Sequence, residues 1–308
     1  MLSLLAKSAL YRPDLPNDSG ALTLPKMETR QFIKINAQHC ERYNRLCQWQ
    51  SGIASVIHPN YIQVLSLPMQ LSMMSQQPFP FKPLGLVHIS NHIEVIALCE
   101  QQSKLTLETS FGRLMWHKKG WVFEVITRAY ENEKLMIEST SSYLARTKHS
   151  TNDYCDNALD YNATKTKLAN ADLSLEPNYK LLYQPFEFPA NVGRQYASVS
   201  KDYNPIHLFA ATANLLGFKK AIAHGMYSKA LSVSHLLKRI PMLRHHVLGR
   251  FNIYTEFMQP IYLPSKNTLV ANSVNNAQYE DSRCFSFRLA SFKSGKTRDF
   301  LRGEITPR

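Results

Sequence analysis

Acid is in short supply in this chain. Asp and Glu number 23 among 308 residues, against 36 Lys and Arg, which leaves a formal charge of +13. Such an excess suits nucleic acid, an anionic membrane surface or an acidic partner. The bases are spread out, however, in short pairs such as Lys118-Lys119 and Lys219-Lys220. No RNA-type aromatic motif and no C2H2 or helix-turn-helix spacing accompanies them, so nucleic acid is not the expected partner. Cysteine is scarce too. Cys40, Cys47, Cys99, Cys155 and Cys284 are odd in number and scattered, with no C-x-x-C. That excludes a disulfide framework and a zinc site, and points to a reducing cytoplasm. No run approaches the roughly 20 apolar residues of a membrane span. The opening MLSLLAKSAL lacks a basic n-region and is too short for a signal peptide. His39, His58, His88 and His92 do not have metal-ligand spacing, and no metal is expected.

What the chain does have is apolar content of 44%, enough for a sizeable core, and a length that fits two domains or one large one. Residues 1–30, with Pro13, Pro16 and Pro25, read as irregular. Ile62 to Met74 reads as a buried helix kinked at Pro68. After FPFKPLGL, strand-like material begins at VHISNHIEVIAL, and period-two alternation predicts further strands over 104–111, 121–127 and 135–144, with a turn at Lys118-Lys119-Gly120. Residues 146–180, rich in Asn, Asp, Thr and Lys, read as a surface linker. A second helix over 224–237 carries Met226, Ala230, Val233 and Leu237 at helical spacing. Strands over LGRFNIYTEFM, 268–274, 283–290 and 299–305 follow it. Elements of the two halves are offset by 162 to 164 residues (105 and 268, 121 and 283, Gly85 and Gly249), which implies an internal duplication. Subtracting 163 from Asp202 and His207 lands on His39 and Asn44, so the first half is expected to lack an acid–imidazole pair.

The chemistry concentrates in YASVSKDYNPIHLFAATANLLGFKKAIAHGMYSKALSVSHLL, residues 196–237. Asn204 and Pro205 favour a turn that places a carboxylate, Asp202, and an imidazole, His207, five residues apart. Singly, an Asp before Asn-Pro commonly only closes a turn, and a lone His is commonly structural. Together, and followed by Ile-Ala-His-Gly-Met at 222–226, they offer a pair for moving a proton on and off carbon.

This pattern resembles the MaoC-like dehydratase family, which includes the (R)-specific enoyl-CoA hydratases; the matching run covers about residues 193–237. Lys201 stands where the family pattern has Gly. The resemblance implies a double hotdog, an α+β fold in which antiparallel sheets wrap long central helices. It assigns 1–145 to a first hotdog without the catalytic pair, 146–180 to the linker and 181–308 to the catalytic hotdog. It makes Asp202 and His207 the catalytic pair and the Gly225 N–H an oxyanion donor, with Asn204, Arg194 and His224 as candidate substrate contacts. The implied reaction, part of fatty-acid metabolism, is hydration of a trans-2-enoyl thioester of coenzyme A or acyl carrier protein, without cofactor or metal. The alternatives are a hotdog acyl thioesterase and a non-catalytic acyl-thioester-binding subunit. A homodimer is compatible with either.

Overall fold

The computed structural model describes residues 7–8, 10–13, 22–49, 56–147, 159–164, 182–241, 243, 249–275, 283–293 and 296–307. Most of the expected linker, part of the expected irregular start and Cys155 lie outside these residues.

Ten strands form one path, and its order exposes the duplication. They are β1 (Glu28–Lys34), β2 (Val87–Val95), β3 (Lys104–His117), β4 (Gly120–Glu131), β5 (Lys134–Arg146), β7 (Leu182–Phe188), β8 (Phe251–Phe257), β9 (Ser265–Asn275), β10 (Arg283–Lys293) and β11 (Lys296–Pro307). Their order is β1-β3-β4-β5-β2-β8-β11-β10-β9-β7. Each half is the mirror of the other in this list, and antiparallel pairing of β2 with β8, from Ser90↔Glu256 to Val95↔Phe251, is the seam. The two expected sheets thus join edge to edge. Within the span expected to be a linker, β6 (Leu159–Asp160) pairs in parallel with β3.

Each half encloses one long helix. α2 (Tyr61–Met74), with Pro68 inside it, packs on β3, β4 and β5. α6 (Gly225–Arg239) is buried from Met226 to Leu237 on every face, not along the apolar stripe alone. Two of its serines turn inward on their own helix: Ser228 Oγ donates to His224 O (3.2 Å) and Ser232 Oγ to Ser228 O (2.8 Å). Lys229 is fully buried and donates to the carbonyls of Asn91 (3.2 Å) and Ile253 (3.4 Å), fastening α6 over the seam. Burial pushes its pKa well below the usual lysine value. The shorter helices are α1 (Ala37–Leu46), α3 (Tyr161–Thr164), α4 (Val192–Ser200) and α5 (Ala210–Leu215); α1 and α4 pack together across the halves.

Alternation sorts β3 as expected, with Leu105, Leu107 and Thr109 fully buried. In β4 both faces are buried, because Tyr161 of α3 covers the outer one and clusters with Val122, Met115 and Leu144. No helix among the described residues is long and apolar enough to cross a membrane.

Candidate active site

The turn after α4 is built by short polar bonds. Lys201 closes the helix at φ +63°, its N–H donating to Ala197 O (2.9 Å). The N–H of Asp202 donates to Ser200 Oγ (3.1 Å), that of Asn204 to Asp202 Oδ1 (3.2 Å) and that of Ile206 to Asn204 Oδ1 (3.4 Å). Residues Pro205–His207 then form a single 3-10 turn. This turn is seated on α4 at Gly193, where a Cβ would lie 2.0 Å from His207 O. Only glycine fits there.

Three titratable groups converge. One ligating atom each of Asp202, His207 and His224 lies within 4.8 Å of the others. The two imidazoles stack, with centroids 3.7 Å apart and planes at 27°. His207 Nδ1 donates to Ile222 O (2.8 Å), which leaves the lone pair on Nε2. His224 Nε2 donates to Asp202 O (3.0 Å) and stands 3.8 Å from Asp202 Oδ2. By distance alone this cluster could hold a metal ion. Stacked rings direct their in-plane lone pairs side by side rather than to one point, however. The geometry suits proton transfer better.

The charge states follow from the surroundings. Burial dominates both histidines and lowers their pKa values, that of His224 to about 3, with the His207 imidazole adding to the effect. Burial also works against the Asp202 carboxylate, but His224, His207 and the Asn204 N–H outweigh it and hold its pKa below the ordinary value. Asp202 keeps 38% side-chain exposure. At neutral pH the site therefore contains a carboxylate beside two neutral imidazoles.

A cavity of about 300 Å³ opens onto these groups. Gly225, the first residue of α6, lines it, and no side chain caps that helix start. Free N–H groups and the helix dipole there favour negative charge. A Cβ on Gly225 would lie 3.0 Å from the Phe257 ring. The first half adds apolar lining, Val64, Leu67, Leu71 and Met74 of α2 with Leu86, beside the polar Gln63 and Tyr143. His88 of β2 also lines it, its ring 4.6 Å from that of Tyr143 and 5.0 Å from that of Phe257, and its pKa lowered by burial to about 3.

Asp202, Asn204, His207, His224 and Gly225 thus line one cavity. One expected substrate contact, Arg194, is placed elsewhere. Arg194 is not among the residues lining the cavity: its Nη1 donates to Leu208 O (2.9 Å) and its guanidinium lies over the Phe209 ring, because α4 carries it outward. His224, 3% exposed, lines the cavity; its Nε2 braces Asp202, while its Nδ1 has no hydrogen-bond partner among the described residues. Gly193 and Ser200 carried a local signal, being a glycine and a hydroxyl inside the motif. His88 and Phe257 carried none, since only the β2–β8 pairing brings them to the site.

Residues 175–291 match the family model of the MaoC-like domain. The 3-hydroxyacyl-thioester dehydratase X of Mycobacterium tuberculosis is 25% identical over 206 residues, 67% of this chain and 66% of that protein, just under two thirds of its length. The solved structure of HtdX from Mycobacterium tuberculosis superposes with a TM-score of 0.67 at 18% identity, covering 91% of this chain and 99% of that one. A MaoC-like dehydratase from Phytophthora capsici gives a TM-score of 0.67 at 17% identity, covering 91% and 95%. A Mycobacterium tuberculosis protein described as a double hotdog gives 0.55 at 8% identity, covering 92% and 96%. Residues 175–291 thus match a MaoC-like domain, and the fold that carries them is the double hotdog.

Proposed function

We propose that the protein catalyses reversible addition of water to a trans-2-enoyl thioester, forming a (R)-3-hydroxyacyl thioester. The observation that carries this reading is one cavity lined by a carboxylate, a neutral imidazole, an uncapped glycine-led helix start and apolar side chains from both halves. In hydration, Asp202 and the lone pair on His207 Nε2 hold the water between them. Its oxygen bonds to C3 as one of its protons passes to this pair. The C2=C3 electron pair moves toward the thioester oxygen, where the Gly225 N–H and the α6 dipole receive the charge. Collapse of that enolate takes a proton onto C2, so that the elements of one water have been added. The thioester is the electron sink, and no step calls for a cofactor.

In this reading residues 1–145 and 181–308 are the two hotdog units, the first providing the wall for the acyl tail. The test is loss of the conjugated-thioester absorbance of crotonyl-CoA and longer enoyl-CoA substrates. Release of free thiol instead of hydration assigns a thioesterase and overturns the proposal.

A further inference from the structure

We propose that the rim formed by residues 208–220 is a docking surface for an acyl carrier protein, a small acidic helical protein that presents the thioester on a phosphopantetheine arm. The inference rests on the thioester reading above and specifies which carrier delivers the substrate.

The rim is a short excursion tied to the active-site turn at both ends. Thr212 Oγ1 donates to Pro205 O (2.7 Å), the Phe218 N–H to Ala213 O (3.0 Å) and the Ile222 N–H to Ile206 O (3.0 Å). Ile206, Phe218 and Ile222 line the cavity, so the outer side of this excursion is at its mouth. That outer side is apolar where a solvated loop would be polar: Leu215 is 86% exposed, Phe209 53% and Leu216 38%. Bases lie in the same stretch of chain, and the Arg194 guanidinium sits over the Phe209 ring. From 189 to 223 the chain carries Arg194, Lys201, Lys219 and Lys220, and its one acid, Asp202, faces the cavity.

Exposed apolar groups in a stretch whose other charges are almost all basic match a partner that is itself apolar and acidic. The phosphates of free coenzyme A would answer the bases but leave Leu215 and Phe209 in water. A second copy of this chain would bring the same bases against one another, which costs binding energy. A carrier protein meets both demands.

The test compares one acyl group on three carriers: pantetheine, coenzyme A and an acyl carrier protein. Leu215→Glu and Lys220→Glu should each lower kcat/KM for the carrier-protein substrate by about tenfold or more. Turnover of the pantetheine thioester should not change, and added salt should weaken only the carrier-protein reaction. Anisotropy of a dye-labelled carrier protein gives the same comparison without turnover. It therefore separates a wrong partner from a wrong reaction. Three outcomes overturn the inference: variants that lose coenzyme A turnover but keep carrier-protein turnover, carrier-protein binding unaffected by either change, or a dimer that Leu215→Glu dissociates.

Discussion

The two halves of this molecule begin their central helices in opposite ways. At the start of α6 stands Gly225, open to the cavity; 164 residues earlier, at the start of α2, stands Tyr61, fully buried. The tyrosine is pinned, its hydroxyl 2.6 Å from His39 Nδ1, while His39 Nε2 donates to Val199 O (2.8 Å) in α4 of the other half. Asn60 precedes Tyr61 where His224 precedes Gly225, and Leu65 occupies the place of Lys229. The same scaffold thus holds a helix start stoppered by an aromatic ring and one left free for a ligand. The connections differ as well. Residues 47–60, 14 in number, join α1 to α2, whereas residues 201–224, 24 in number, join α4 to α6 and contain the whole acid–imidazole turn. That extra length corrects the simple subtraction that paired Asp202 and His207 with His39 and Asn44. β1 and β7 begin 154 residues apart and α1 and α4 155, but β2 and β8 begin 164 apart. His39 is therefore no degenerate counterpart of the acid; it is the clamp on Tyr61.

The comparison is broken most directly by removing the pair that only one half has. Asp202→Asn and His207→Gln should each lower kcat for hydration by about 10²–10⁴-fold, with the thermal midpoint little moved. Turnover persisting in both variants would mean that the 201–224 insertion is not the site. Next in size are the helix starts themselves. Gly225→Ala places a methyl against the Phe257 ring and shifts the first amides of α6, for an expected loss of about 10–10² in kcat. Tyr61→Phe should leave kcat unchanged and cost about 1 kcal/mol of stability by removing the bond to His39. Equal kinetic effects at the two positions would erase the distinction drawn between them.

Much of the scaffold and nearly all of the turn were legible in the residues. β4, β5, β10 and β11 announce themselves by alternation and aromatic content, and Asp202, Asn204, His207 and Gly225 are near one another in sequence and in space. Three things were hidden. β3 continues past Phe111 to His117 because a bulge between Phe111 and Leu114 resets the pairing; there the Arg113 N–H donates to Glu124 Oε2 (3.1 Å). β1 and β7 are edge strands whose exposed faces carry little periodic signal. The β2–β8 seam, which brings His88 and the α2 wall to a site in the other half, is a long-range pairing that no local window contains.

Lys229 tests that seam. Replacing it with Met removes donors to the Asn91 and Ile253 carbonyls, a loss of about 1–3 kcal/mol, but also removes the cost of burying the amine, which is largest at low pH. The sign with pH is fixed by linkage. The folded lysine has a lowered pKa, so between that value and the unfolded 10.5 the unfolded chain binds more protons, and the wild type gains stability as pH rises. Denaturation of wild type and Lys229→Met across pH 7 to 10 should show their stability gap widening upward. A gap independent of pH would mean that the lysine stays charged when folded. The active site gives a second pH prediction. Because the His207 and Asp202 pKa values are both lowered, kcat/KM should stay flat down to pH 6.5 and fall only below it. Half-loss at 6.5, the ordinary histidine value, would place His207 in contact with water.

The smallest effect concerns Lys201, which holds φ +63° in the half that carries the chemistry. A left-handed conformation costs a side-chain-bearing residue about 1–2 kcal/mol, and glycine is spared that but loses about 0.5–1 kcal/mol in chain entropy. Lys201→Gly should therefore stabilise the fold slightly, by about 0.5 kcal/mol, less whatever the Lys201 Nζ bond to Ser198 O contributes. Its kinetic consequence is the sharper readout. The strain is taken up by backbone bonds on either side, Lys201 N–H to Ala197 O and Asp202 N–H to Ser200 Oγ, so the carboxylate stays where those bonds put it. Unchanged kcat with a slightly raised thermal midpoint is the expected result. A large gain in kcat would show that the lysine at this position holds Asp202 out of line, and that the turn works best with the glycine typical of the family pattern.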